Sequence, residues 1–298
     1  MTQATGWRGS LSLAYRREQG RTVALDRHEG PLRVLKALYP EGPAVCHHVL
    51  LHPPGGVVGG DGLEINITLA ADTHALLTTP GATRFYRSDG AWAVQQVRLQ
   101  LQAGARCEWL PLETIAHSGC LARSQVQAEL APGAEMMGWD VLALGLPASK
   151  QGFDSGCFEQ RIQVPGVWLD HGRIAAADTL LRGSPLGLAG HNVLATLWFA
   201  AGTALPVARR DGLLEAARQL LPAAGLHAGS RTAPHTAPHT ELEPNLHAGV
   251  TAAQPSVLVL RVLARRVEPA LQLLAAVRAA WRGRAWGMAA APPRIWQT

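Results

Sequence analysis

Three segments of the chain share one shape, and that repetition limits the fold more than any other feature. INITLAADTHALL, RLQLQAGARCEWL and VQAELAPGAEMMGW each run as an alternating strand, a tight turn and a second strand. Their turn residues Asp72, Gly104 and Gly133 lie 32 and 29 residues apart, and Leu69, Leu101 and Leu130 each stand three residues before the turn. A period of about thirty residues predicts stacked β units, built either as a β-helix or as a layered sandwich. The alternation within each copy supports strands. Ile65, Ile67 and Leu69 face one way and Glu64, Asn66 and Thr68 the other, and Val97, Leu99 and Leu101 alternate with Arg98, Gln100 and Gln102.

Strand-like runs cut by Gly, Pro and Asp continue to Asp178, so residues 8–180 read as β-rich. Residues 181–298 read as mixed α/β within the same single domain. GHNVLATLWFAAG (Gly190 to Gly202) is apolar and of undecided type. DGLLEAARQLL (Asp211 to Leu221) reads as a helix with Asp211 as N-cap and Pro222 at its stop. SVLVLRVLA (Ser256 to Ala264) reads as a buried strand. EPALQLLAAVRAAWRG (Glu268 to Gly283) reads as a second helix, with Pro269 in its first turn and Leu271, Leu274, Val277 or Arg278, and Trp281 on one face. Packing of that face on its own domain is the default reading. Between the helices, a Pro-rich stretch with TAPH in tandem reads as a flexible loop over residues 225–249, holding His227, His235, His239 and His247. The expected fold is therefore mainly β, a stacked-strand, β-helix-like scaffold with a few helices in the C-terminal third.

Composition excludes several classes. Hydrophobic residues at 47% against charged residues at 16% argue against global disorder. A net charge of +5 would suit an acidic or nucleic-acid partner, but the arginines are scattered, and no basic run marks a nucleic-acid surface. The four cysteines show no CxxC spacing, which argues against a zinc ribbon. Without a signal-like N-terminus or an apolar run of membrane-spanning length, the expectation is a cytoplasmic protein with free thiols.

Local motifs leave the chemistry open. HPPGGVVGGDGLEI (His52 to Ile65) is followed by a strand and has no nearby Lys, so it is not a phosphate loop of the Walker or Rossmann kind. It reads as a turn in which Asp61 accepts backbone N–H bonds. VCHHVLLH offers Cys46, His47 and His48 as weak candidate metal ligands. On a strand, Cys46, His48 and His52 would face one way and His47 the other. CEWLPLETI places Glu108 and Glu113 in an apolar setting, where a carboxylate needs a partner or water. No GxSxG elbow is present. A metal-dependent hydrolase using Cys46, His47, His48 and Asp61 is the enzymatic alternative.

Taken in order, HPPGGVVGGDGLEI, LLTTPGATRFYRS (Leu76 to Ser88), CEWLPLETI and the ending PPRIWQT (Pro292 to Thr298) resemble the urease accessory protein family UreD, called UreH in some organisms. The resemblance implies a non-enzymatic scaffold that binds apo-urease and, with UreF and UreG, supports nickel delivery to the urease metallocentre. It implies no tightly bound cofactor, only nickel in transit. It implies a mostly β stacked fold with an internal route for the metal, for which Asp61, Glu108 and Glu113 are the candidate lining. It also implies a C-terminal contact with UreF, for which Leu271, Leu274, Trp281, Arg294 and Trp296 are the candidates. The chain departs from the family pattern after ETI, where AHSGC, with His117 and Cys120, replaces an aromatic-acid-Gly run.

Overall fold

The computed structural model describes residues 6–146, 149–222 and 246–297. The chain opens with β1 (Arg8–Glu18), β2 (Arg21–Glu29), β3 (Arg33–Val34), β4 (Val45–Leu51), β5 (Gly62–Leu69), β6 (His74–Thr78) and β7 (Thr83–Phe85). It continues through β8 (Ala93–Leu101), β9 (Arg106–Leu110), β10 (Thr114–Ala116), β11 (Leu121–Leu130), β12 (Glu135–Leu144), β13 (Cys157–Val164) and β14 (Trp168–Ala175). It closes with α1 (Thr179–Gly183), β15 (Val193–Ala201), α2 (Val207–Arg218), β16 (His247–Gln254), β17 (Val257–Ala264), α3 (Val267–Trp286) and a 3-10 turn, Arg294–Gln297.

The repeat is a solenoid. One sheet runs β14-β13-β11-β8-β5-β1-β2, and the other runs β16-β17-β15-β12-β9-β6-β4-β3. Each repeat copy spans both sheets, as β5 to β6, β8 to β9 and β11 to β12, and the copies stack in parallel. Leu69 pairs with Leu101 and Leu101 with Leu130, so the three leucines that mark the repeat lie side by side. The turns stack too: Asp72 N donates to Ala103 O at 3.1 Å and Ala131 N to Leu101 O at 2.9 Å. Asp72, Gly104 and Gly133 all take left-handed conformations, with φ of 56°, 70° and 80°. That conformation turns the chain from one sheet into the other, and Asp, Asn and Gly tolerate it best. A narrow third face forms where β7 pairs with β10, next to β12.

Two cores result. Between the sheets lie the inward residues of the alternating strands, including Leu13, Ile67, Leu99, Val126 and Phe158. Outside the second sheet, Leu76, Leu110, Trp139, Phe199 and Leu260 pack against Leu214 of α2 and Leu274, Val277 and Trp281 of α3. The long C-terminal helix is thus a cap on the β stack, as its apolar face predicts.

The C-terminal third corrects several boundaries. The undecided run Gly190 to Gly202 contains β15, a central strand buried on both faces. The first helix begins at Val207 with Pro206 at its N-cap position, so Asp211 lies inside it and caps nothing. The second helix extends to Trp286 and stops at Gly287, whose φ is 64°. His247 opens β16, and most of the predicted 225–249 loop, with His227, His235 and His239, lies outside the described residues.

Close packing fixes the identity of Gly138 in β12. It pairs with Trp198 of β15, and a Cβ there would meet the indole Cζ2 at 2.2 Å. Gly138→Ala is expected to lower stability by about 1–3 kcal/mol through overpacking, measured by urea denaturation. An unchanged midpoint would show that Trp198 has room to move.

Candidate functional site

Asp61 closes the turn that leads into β5. Its Oδ2 accepts from Val58 N at 2.9 Å and its Oδ1 from Trp7 N at 3.2 Å, and the residue is almost wholly buried. The glycine-rich stretch is therefore a backbone device, with the acid satisfying N–H groups, as the sequence predicts. The ring of Tyr86 lies over Gly56, where a Cβ would sit 2.0 Å from it. In this way the glycine-rich stretch and the TTPGATRFYRS segment pack into one wall.

The candidate metal ligands do not come together. Strand alternation sends Cys46 into the inter-sheet core, and His48 goes to Tyr15, whose hydroxyl lies 2.6 Å from His48 Nδ1. His47 turns the opposite way, with Nε2 2.7 Å from Glu41 Oε1. Among the described residues, no group of three or more His, Cys, Asp or Glu is arranged to hold a metal ion. Burial pushes the Cys46 thiol up and the His48 imidazole down to about 4, so neither carries charge at neutral pH. The Cys46, His47, His48 and Asp61 set that a hydrolase would need is dispersed.

Glu108 instead organises the most highly charged interior site. β9 alternates, so Cys107 and Trp109 enter the inter-sheet core while Glu108 faces α3. Glu108 is fully buried. Arg278 Nε donates to its Oε2 at 2.7 Å, and Arg282 Nε and His74 Nε2 reach its Oε1 at 3.0 Å each. Arg282 goes further: Nη1 and Nη2 donate to the two oxygens of Glu41 at 2.6 and 2.9 Å, and Nη1 also reaches Ala289 O at 2.5 Å. Two arginines thus face two glutamates inside the protein, and a single helix supplies both cations. An ionised carboxylate only accepts, so His74 and His47 donate their Nε2 protons to Glu108 and Glu41.

Electrostatics follow from this wiring. Burial raises the Glu41 carboxyl, but hydrogen bonds from His47 and Arg282 outweigh it and hold the group at about 2. Burial likewise works against ionised Glu108, and the His74 hydrogen bond with the charges of Arg278 and Arg282 brings it below the ordinary carboxylate range. His74 is lowered by burial, with Glu108 opposing, so it acts as a neutral donor. The sequence signal for this site was a pair of arginines four residues apart on the buried face of an Ala/Leu helix; it did not reveal Glu41 and His74 as their neighbours.

A second buried acid behaves in the opposite way. Asp140 of β12 faces the inter-sheet space, where Gln160 Nε2 donates to its Oδ1. Burial, and then the negative charge of Asp170, push Asp140 up to about 7, with the Gln160 bond opposing. Asp170 is itself paired with Arg261 at 2.7 Å.

The remaining candidates lie elsewhere. Glu113 is partly exposed, beside the narrow third face, where its carbonyl accepts from Thr83 N at 2.9 Å. Asp61, Glu108 and Glu113 therefore occupy three separate environments. Leu274 and Trp281 are fully buried in the helix-side core, and Trp281 Nε1 donates to Leu213 O at 2.9 Å. Leu271 is half-buried, and Arg294 is exposed. Trp296 docks on the protein itself, donating to Thr78 Oγ1 at 2.8 Å and tilting over Trp139 at 4.9 Å. Of these five residues, Arg294 alone presents an open side chain.

Comparison with known proteins gives the family. The model of the UreD urease accessory protein family matches residues 8–297. The chain belongs to this family. It is 54% identical over 294 residues to the urease accessory protein UreD of Leptothrix cholodnii, covering 98% of this chain and 99% of the relative. The UreD proteins of a Polaromonas species and of Variovorax paradoxus are each 52% identical, over 97% and 98% of this chain and 99% of each relative. The segments on which the resemblance rests fall on the wall formed with Gly56 and Tyr86, on Glu108, and on the C-terminal turn at Trp296.

Two variants test the opposed acids. Glu108→Gln leaves Arg278 and Arg282 under-compensated and is expected to cost about 3–5 kcal/mol in urea denaturation. A loss below about 1 kcal/mol would mean the network relaxes freely. Because Glu41 and Glu108 have depressed folded-state values, their contribution is full above the ordinary glutamate range. It fades as pH falls towards about 2. For Asp140 the sign reverses. Its folded value lies above the unfolded one, so stability is lost as pH rises from the ordinary aspartate range through about 7. Asp140→Asn is expected to flatten that decline between pH 5 and pH 8, and an identical slope in both proteins would refute the assignment.

Proposed function

We propose that the protein is a scaffold for urease maturation, binding apo-urease and acting with UreF and UreG to support nickel insertion into the urease metallocentre. The observation that carries this reading is the family match along nearly the whole chain, joined to relatives of similar length at more than half identity. The internal chemistry fits a binding protein. The buried acids are committed to arginines, backbone amides or a side-chain amide, and the buried thiol Cys46 is held away from its reactive form. Nickel is then cargo and not a resident cofactor. No helix among the described residues is long and apolar enough to cross a membrane, and the proposed site of action is the cytoplasm, beside the partners.

The partner surface is narrower than the sequence suggests. Leu274 and Trp281 hold α3 on the sheet, so a UreF contact at this end would use Arg294 and the exposed edges of Leu271 and Trp296. Truncation after Gly283 would also remove Trp286, which donates to Glu135 Oε2 at 2.7 Å, and the Ala289 carbonyl that Arg282 holds. It would disturb the fold as well as the contact.

Deleting the gene from cells that carry the urease operon is expected to leave inactive, nickel-poor urease, with restoration recovering both activity and metal content. Full activity without the gene would overturn the scaffold reading.

A further inference from the structure

A concavity with apolar walls lies at the narrow third face. Leu50, Leu63, Ile65 and Trp109 line its floor between the sheets, in a cavity of about 310 Å³. Gln95 enters from the inward face of β8. At the mouth stand His52, Thr83 and Arg84, between Gly55 on one loop and Gly81 on the next. The two longest segments on which the resemblance rests meet at this opening, and the network around Glu108 does not use it.

Three observations point to an occupant with both an apolar and an anionic part. The floor offers aliphatic and indole surface that water solvates poorly. Arg84 is exposed at the rim and makes no ion pair among the described residues. One imidazole nitrogen at the opening is buried without a hydrogen-bond partner: Nε2 of His52, whose ring lies 5.0 Å from Trp7. A buried polar nitrogen left unpaired costs free energy that an incoming hydrogen-bonding group would offset. Burial lowers the imidazole of His52, so the positive charge of the rim belongs to Arg84.

We propose that this slot takes an apolar side chain flanked by a carboxylate, presented by a polypeptide partner, with the side chain on Leu63, Ile65 and Trp109 and the carboxylate at Arg84. The proposal rests on the scaffold reading only in that it supplies that scaffold with a docking point for a partner segment. Charge complementarity selects the acidic neighbour, and the depth of the slot selects an aliphatic anchor.

The test uses the full chain and two capped dipeptides, acetyl-Leu-Glu-amide and acetyl-Leu-Gln-amide, titrated while the tryptophan indole resonances are followed by NMR. The acidic probe is expected to bind about two- to five-fold more tightly than its neutral twin, the size of one rim ion pair. The difference should vanish in Arg84→Gln and shrink at high salt. Ala82→Leu, which narrows the slot without altering charge, should weaken both probes together. Both Arg84→Gln and Ala82→Leu must show the wild-type far-UV spectrum and melting curve. If Arg84→Gln fails this, Arg84→Ala serves in its place and should likewise abolish the preference; if Ala82→Leu fails it, Ala82→Val serves and should weaken both probes together. Equal affinity for the two probes, a preference surviving in Arg84→Gln, or no response up to millimolar concentration would overturn the proposal. Because urease is absent from the experiment, failure of the scaffold reading would show in the cellular deletion and not here.

Discussion

One fully buried carboxylate holds the helical and β parts of this protein together. Glu108 sits on a strand inside the second sheet and receives hydrogen bonds from two arginines of α3 and from His74 of the neighbouring strand. Arg282 carries the connection onward to Glu41, in the loop before β4, and to Ala289, in the chain's return after the helix. Three segments distant in sequence, β9, α3 and the loop at Glu41, are thereby fixed through one pair of guanidinium groups. An arrangement of this kind adds little net stability over an apolar core of the same shape. What it does impose is geometry, since removing any one partner strands the others in a medium that solvates charge poorly.

The solenoid makes such a site possible. Parallel stacking brings residues about thirty positions apart into register, so His74 and Leu76 of one coil pair with Arg106 and Glu108 of the following one, and His74 reaches Glu108 across the diagonal. The same stacking keeps Leu69, Leu101 and Leu130 in one row and sets the turns at Asp72, Gly104 and Gly133 above one another. A fixed period with a tight, left-handed corner leaves each strand's two faces unambiguous. One face enters the space between the sheets. The other, in the second sheet, meets the helices. The fate of Glu108 and Asp140 was decided by that parity alone.

This also explains what could be read from the sequence. The repeat, its turns, the buried β17 strand and the apolar face of α3 are local patterns, and local patterns survive in a linear reading. Asp61 was legible for the same reason, because its partner Val58 lies three residues away. The network was not, because Arg278 and Arg282 stand 170 and 174 residues from Glu108, and no local pattern connects them. Cys46, His47 and His48 looked like one cluster because adjacency in sequence is not adjacency in space on a strand. Only their alternation was readable, and it was the alternation that separated them. Trp281 looked like a partner anchor because apolar residues on a helix face look the same whether the covering surface is the protein's own sheet or another chain.

The two buried acids then define two kinds of interior. Glu108 has both oxygens engaged by cationic or N–H donors, so it stays ionised. Asp140 has an amide for a partner and another acid nearby, so it holds its proton up to about pH 7. The difference does not come from the carboxylates, which are chemically alike, but from which face of the second sheet each one occupies. On the helix side α3 supplies two arginines, and the inter-sheet side supplies Gln160. The division of labour between a rigid helix-capped half and a titratable inter-sheet half is therefore written into strand parity.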